Sequence, residues 1–259
     1  MQAGGAAPMD DFRTSRIADD AFAETGIAPA HAAPPPRTAE PEYLRRVYWW
    51  AYLHPKAIRL FERQWLINLI LWGNYATLRD AALAELREGC NGRMLQLACV
   101  YGDFTERLAG RLTGSGSLSV VDAAQIQLDN LRCKLGGSAA VALHRQNAAD
   151  LSFGDGSFDA TVAFFLLHEQ PLETRIRTLH EALRVTRPGG KIVIVDYHRP
   201  NRTHPLRYVM PAIFRTLEPF AMDLWHTEIR TWLPRSARYD LEAETFFGGL
   251  YQKITIVPR

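Results

Sequence analysis

Beyond Gly92 the chain alternates short apolar runs with amphipathic stretches, an order that few architectures accept. RMLQLAC at 93–99 is an apolar run, TERLAGRL follows with helical spacing, and SLSVVDA at 117–123 is a second apolar run. Strand, loop, helix, strand is the opening of a βαβ unit with a parallel sheet. The alternation continues: 124–136 reads as a helix, VALHRQN as a third strand, FDATVAFFL as a fourth, 173–185 as a helix, and KIVIVDY as a fifth strand after an RPGG turn. AETFF and LYQKITIV flank Gly248 and Gly249, a glycine turn that joins two strands in an antiparallel close. The expected fold is therefore α/β, a seven-stranded, mostly parallel sheet. The stretch past Asp196, with Pro205, Pro211, Pro219 and Pro234 among aromatic residues, carries no assignment, and Arg175, Arg177 and Arg184 fall on an expected exposed helix face.

The N-terminal third divides in two. Residues 1–41 are rich in Ala and Pro, with Asp10, Asp11, Asp19 and Asp20 and no apolar h-region; they read as a disordered tail, neither a secretory signal nor a mitochondrial presequence. Residues 42–90 read as a helical cap on a domain of 91–259, with Ile58, Phe61, Trp65, Leu69 and Trp72 forming one apolar stripe after Pro55. The most apolar part, Gln64 to Trp72, rises only about 14 Å as a helix against a hydrocarbon core of about 30 Å, so it cannot span a bilayer. Trp49, Trp50, Trp65 and Trp72 are interleaved with Arg45, Arg46, Lys56, Arg59 and Arg63. That pattern suits a membrane surface with anionic headgroups or a buried cap, and both hold if the cap closes over a lipid-like substrate.

Thirty Lys and Arg against 28 Asp and Glu leave no field strong enough to hold a nucleic-acid backbone. Cys90, Cys99 and Cys133 lie far apart without CxxC spacing, which excludes a disulfide framework or zinc knuckle and implies a reducing, cytoplasmic setting.

A parallel sheet binds its ligand outside the carboxyl ends of its strands. The loop after the first strand runs from Gln96 and Ala98 to Asp103, with Gly102 alone where a nucleotide-binding turn normally holds three glycines. Cys99, Val100 and Tyr101 would crowd a diphosphate, whereas S-adenosylmethionine has no phosphates and tolerates such a loop. Asp122, twenty residues beyond Gly102 and next to Ala123, is placed to accept both ribose hydroxyls. Asp150, next to Leu151, is placed to hold the adenine amino group. The expected cofactor-binding set is thus Gln96, Ala98, Gly102, Asp122, Ala123, Asp150 and Leu151.

QLACVYGDF, VVDA, NAADLSFGDGSFD, LLHEQP, EALRVTRPGGKIVIVDY and FFGGLY together resemble a class I S-adenosylmethionine-dependent methyltransferase of the ubiquinone and menaquinone biosynthesis type, with its Rossmann-like sheet. YWWAYLHPKAIRLFERQWL and the VYG turn resemble the rhodoquinone biosynthesis methyltransferase-like family. That resemblance implies conversion of ubiquinone to rhodoquinone, with a ring methoxy exchanged for an amino group, S-adenosylmethionine as nitrogen donor, manganese assisting, and a peripheral position on the inner membrane. Ordinary members carry an acid where this chain has Gln96. A neutral Gln96 either keeps the cofactor's amine uncharged or only hydrogen-bonds the loop. Tyr101 is the expected orienting hydroxyl, Asp103 a proton acceptor or metal ligand, and His168 a proton shuttle or a loop cap. Asp103, Glu169 and His168 are the donors a manganese ion would draw on, without a recognised spacing. Two other functions stay open: a C- or O-methyltransferase of a prenylated quinol, and a non-catalytic quinone- or membrane-binding protein on the same scaffold.

Overall fold

The computed structural model of the protein describes residues 40–86 and 91–259. The expected tail, up to residue 39, and Cys90 lie outside the described residues. Five strands run parallel where the apolar runs lie: β1 (Arg93–Leu97), β2 (Ser117–Asp122), β3 (Val141–Arg145), β4 (Phe158–Phe164) and β5 (Thr186–Tyr197). The antiparallel pair β6 (Tyr239–Phe246) and β7 (Tyr251–Pro258) joins at β5, giving a seven-stranded sheet in the order β3-β2-β1-β4-β5-β7-β6. β1 and β4 are buried along almost their whole length, which is why they read as continuous apolar runs and not as alternating ones. The strand order reverses between β1 and β4, so the crevice at their carboxyl ends is the place where this topology leaves room for a ligand. This is the seven-stranded, mostly parallel α/β sheet expected from the sequence.

The N-terminal segment is broken and not one continuous helix. It comprises α1 (Glu42–Arg46), a π-helical turn (Trp49–Leu53), α2 (Pro55–Phe61), α3 (Gln64–Ile70) and α4 (Tyr75–Glu85). Pro55 starts α2, where its missing N–H costs nothing, and the His54 imidazole accepts the Lys56 N–H at 3.3 Å. Trp72 and Gly73 take positive φ (53° and 78°) and turn the chain from α3 into α4. Leu78, Ala82 and Leu83 of α4 share one core with Leu95, Leu97 and Val162 of the sheet, while Leu44, Tyr48 and Ala123 form a small second cluster. The segment therefore packs onto the sheet instead of carrying a core of its own. No helix among the described residues is long and apolar enough to cross a membrane.

The crossovers are α5 (Phe104–Ala109), α6 (Gln125–Leu135) and α7 (Leu172–Val185), and the stretch left unassigned holds α8 (Leu206–Leu217) and α9 (Asp223–His226). One expectation is corrected here: Arg175 is not on an exposed face but is wholly buried. Its guanidinium donates to the carbonyls of Leu167 (2.8 Å), Gln170 (2.9 Å) and Phe220 (2.7 Å) and lies over the Trp232 ring. That one side chain ties the turn after β4 to the stretch between α8 and α9.

Candidate active site

At the end of β1 the chain turns through Ala98, whose φ of 67° lies in the left-handed region and whose N–H donates to the Val121 carbonyl at 2.9 Å. This turn aims the Cys99 N–H at Asp122 (2.8 Å), and the Ala124 N–H binds the other carboxylate oxygen (2.8 Å). Burial pushes the Asp122 carboxyl up to about 6, against the pull of those two amides. Gln96 is fully buried beneath the turn; its Nε2 donates to the Ala98 carbonyl (3.0 Å) and to Thr105 Oγ1 (2.9 Å), so it ties the loop in place.

A first cavity opens over these strand ends. Ala98, Cys99, Asp122 and Ala123 form its floor, with Tyr43, Leu44 and Tyr52 among its other walls. Asp150 and Leu151 do not line it; Gln146, Asn147 and Ala148 do. The cause is a tight turn in which the Asp150 N–H donates back to the Asn147 carbonyl at 2.9 Å, while the Leu151 N–H is held by Glu181 at 2.8 Å. Gly102 does not line it either. With φ at 86°, a Cβ there would lie 2.5 Å from the Tyr75 hydroxyl, so the glycine answers to the packing of α4 and not to a ligand.

A second, roomier and more apolar cavity adjoins the first, and Tyr52, Ala98, Cys99 and Glu169 line both. Tyr101 is in its wall with the hydroxyl already engaged: it donates to the Ala51 carbonyl (2.7 Å) and accepts from Gln127 Nε2 (2.9 Å). Its ring stacks between Tyr52 and Phe61 at centroid distances of 5.7 and 5.6 Å, so it presents a face and not an orienting hydroxyl. Asp103 is likewise spent, on Arg79 (2.9 Å) and Arg107 (2.5 Å); burial raises its carboxyl, but the two guanidiniums outweigh that and hold it below the usual range.

The polar end of the second cavity is a buried proton-binding cluster. His168 Nδ1 lies 2.9 Å from Asp196 Oδ1, and Nε2 stands 3.8 Å from Glu169 and 3.9 Å from Glu218. Burial opposes the imidazolium, but Asp196, with Glu218 and Glu169 behind it, outweighs burial and pushes His168 up to about 9. Burial also pushes Glu169 up to about 8, helped by the Glu218 charge and opposed by His168; Glu169 accepts a hydrogen bond from the Tyr52 hydroxyl. Burial raises Glu218 as well. Carboxyls held near neutrality beside a charged imidazole can both take and give protons, the requirement for general acid and base work at pH 7.

The manganese that the resemblance implies finds no donor set here. Asp103 is neutralised by arginines, and among the described residues no group of three or more His, Cys, Asp or Glu is arranged to hold a metal ion.

Asp196 and Glu218 were not expected from the sequence. Asp196 closes an apolar run in KIVIVDY as Asp122 closes one in SVVDA, so the signal was there. Glu218 caps α8, far from His168 in sequence, and only the fold joins them.

Residues 94–190 match the methyltransferase-domain family. The demethylmenaquinone methyltransferase of Bacillus subtilis (strain 168) is 25% identical over 190 residues, 72% of this chain and 80% of that protein. The demethylmenaquinone methyltransferase of Anoxybacillus flavithermus is 30% identical over 175 residues, 66% of this chain and 73% of that protein. Among solved structures, N-methyltransferase NodS from Bradyrhizobium japonicum in complex with S-adenosyl-L-homocysteine superposes with a TM-score of 0.54 over 80% of this chain and 97% of that one, at 12% identity, a likeness of fold alone. Fold and relatives agree, and the chain belongs to the class I S-adenosylmethionine-dependent methyltransferases of the quinone-biosynthesis type.

Proposed function

We propose that the protein uses S-adenosylmethionine to methylate a ring carbon of a prenylated quinol. The observation that carries this reading is the meeting of two cavities at Glu169, one floored by Asp122 and one apolar and closed by His168. Asp122 would accept the ribose hydroxyls of the cofactor, and Asn147 and Ala148 would edge its adenine. When bound, the cofactor supplies an electrophilic methyl group on a sulfonium. Phe61, Tyr101, Phe164 and Phe165 offer ring faces and an apolar wall to the quinol and exclude water around it.

Glu169 takes the proton of the quinol hydroxyl, and the His168 imidazolium, oriented by Asp196, stands against the oxyanion that develops. The oxyanion's electron pair moves into the ring, whose carbon bonds the methyl. Loss of that carbon's proton restores aromaticity and Glu169 returns the first proton to the oxygen, so one proton is released per methyl transferred. Purified protein given a prenylated quinol and S-adenosylmethionine should yield the methylated ring and S-adenosylhomocysteine. Glu169→Gln should bind cofactor normally and turn over slowly. An unchanged quinol would refute the reading.

A second reading, replacement of a ring methoxy by the cofactor's amino group, is favoured by one observation. Gln96 is neutral and buried at a position where the resemblance implies an acid, and Asp103 is neutralised by arginines. An amine left uncharged could add to the methoxy-bearing carbon of a quinone and expel methanol; a proton shift that reduces the ring as the cofactor's Cα–N bond becomes an imine, followed by hydrolysis of that imine, would then leave the nitrogen on the ring. Its sign would be a product that has lost a methoxy and gained nitrogen.

A further inference from the structure

The second cavity reaches the surface in an unusual place. Trp50 and Ile70 line it and are themselves 38% and 43% exposed. Around them Trp49, Trp65, Leu69 and Trp72 are also exposed, Leu69 by 64% and Trp65 by 59%, although the opposite side of α3 buries Ile67. This is a contiguous stretch of sequence with large apolar side chains facing outward, which a soluble surface rarely carries without a partner.

Its charge is one-sided. Arg45, Arg46, Lys56, Arg59 and Arg63 are all exposed. The acids of the segment are engaged: Glu42 pairs with Arg46 at 2.7 Å, and Glu62 is held by Lys134 (2.8 Å) and Asn130 (2.7 Å). A second copy of this chain would bring like charges together, whereas a surface of anionic headgroups over an apolar layer complements both the charge and the tryptophans.

From the mouth inward the rings form a continuous path. Trp50 lies 6.0 Å from Phe61, Phe61 stacks on Tyr101, Tyr101 stacks on Tyr52, and Tyr52 donates to Glu169. We propose that this face seats in the interfacial layer of a bilayer bearing anionic lipid, and that a lipid-dissolved ring passes sideways between Trp50 and Ile70 into the cavity. The docking stands on the surface alone; the passage of a ring rests on the quinol reading above.

Flotation of the full chain with phosphatidylcholine vesicles, with and without phosphatidylglycerol, tests the docking. Wild type should float with the anionic vesicles at low salt and be partly released by high salt. Arg59→Gln with Arg63→Gln should weaken partitioning about 30-fold, as two lost charges near a surface imply. Trp65→Ser with Leu69→Ser should abolish flotation at any salt; neither residue lines either of the two cavities described above, and circular dichroism checks that the pair still folds. With a long-chain quinol embedded in vesicles the serine pair should lose turnover, and with a short-chain quinol in water it should keep it. Absence of flotation by wild type on anionic vesicles overturns the docking, as does a lipid-free dimer that the serine pair dissolves. Equal turnover of embedded quinol by wild type and serine pair overturns the sideways passage. Flotation without turnover of either quinol upholds the docking and refutes the quinol reading instead.

Discussion

Asp196 grips His168 with both carboxylate oxygens: Oδ1 lies 2.9 Å from the imidazole Nδ1, while Oδ2 accepts the His168 N–H at 3.3 Å and the Leu167 N–H at 2.8 Å. Ring and backbone are thus fixed together at the end of β4, with Nε2 left facing Glu169 and Glu218. The price of that arrangement is a cluster that holds its protons more tightly folded than unfolded.

Stability should therefore fall as pH rises. Glu169, raised to about 8, destabilises the fold increasingly from its unfolded value of about 4.5 up to 8. His168, raised to about 9, stabilises fully below about 6.5, and that contribution is lost as pH climbs through 9. Both signs agree, so thermal unfolding should show Tm declining between about pH 5 and 9. Glu169→Gln should flatten the lower part of that decline; a slope identical to wild type would show that Glu169 is not a buried proton binder.

Asp122 sets a pH limit on the cofactor. Its carboxyl must be ionised to accept two hydroxyls well, and burial holds it at about 6, so affinity measured by calorimetry should fall as pH drops through that value. Asp122→Ala should weaken binding by about 1.5–3 kcal/mol, the usual worth of hydrogen bonds to a charged group. Equal affinity in mutant and wild type would remove Asp122 from the cofactor site.

Gln96→Glu separates two roles for one residue. Losing both Nε2 donations inside the core should cost about 1–3 kcal/mol, a fall of roughly 3–10 °C in Tm. Methyl transfer should keep its pH profile, because no free amine takes part. A profile displaced toward alkaline pH would mean that Gln96 governs the charge of the cofactor's amine, which the amino-transfer reading requires.

Arg175→Met leaves the carbonyls of Leu167, Gln170 and Phe220 without their donor and loosens the turn that carries His168 and Glu169. A loss of several kcal/mol is expected, about 1–3 for each buried acceptor left bare. Chemical denaturation measures it. A change below about 0.5 kcal/mol, typical of an exposed arginine, would contradict the burial.

The sheet was legible in the sequence because β1 and β4 are buried on both faces and read as continuous apolar runs; Asp122 was legible because an acid closing such a run stands at a carboxyl end. β6 was seen only in part, since YDLEAETF is a mostly exposed edge strand whose charges mask its pairing. Pro211 hid α8, and with it Glu218, because a proline in mid-pattern argues against a helix that here forms around it. Tyr101 and Asp103 were read as free because nothing in the chain order of residues announces that Ala51, Gln127, Arg79 and Arg107 will occupy them. Arg175 misled for the same reason: a helical arginine is exposed unless a distant segment arrives to cover it.

The most direct measurement of the central claim is a turnover with doubly labelled S-adenosylmethionine, deuterium in the methyl group and heavy nitrogen in the amino group, on a prenylated methoxylated ring offered as quinol and as quinone. Mass spectrometry of the product should find the intact deuterated methyl on a ring carbon and no heavy nitrogen. Heavy nitrogen on the ring, with the methoxy gone and no deuterium gained, would contradict methyl transfer and establish amino transfer in its place.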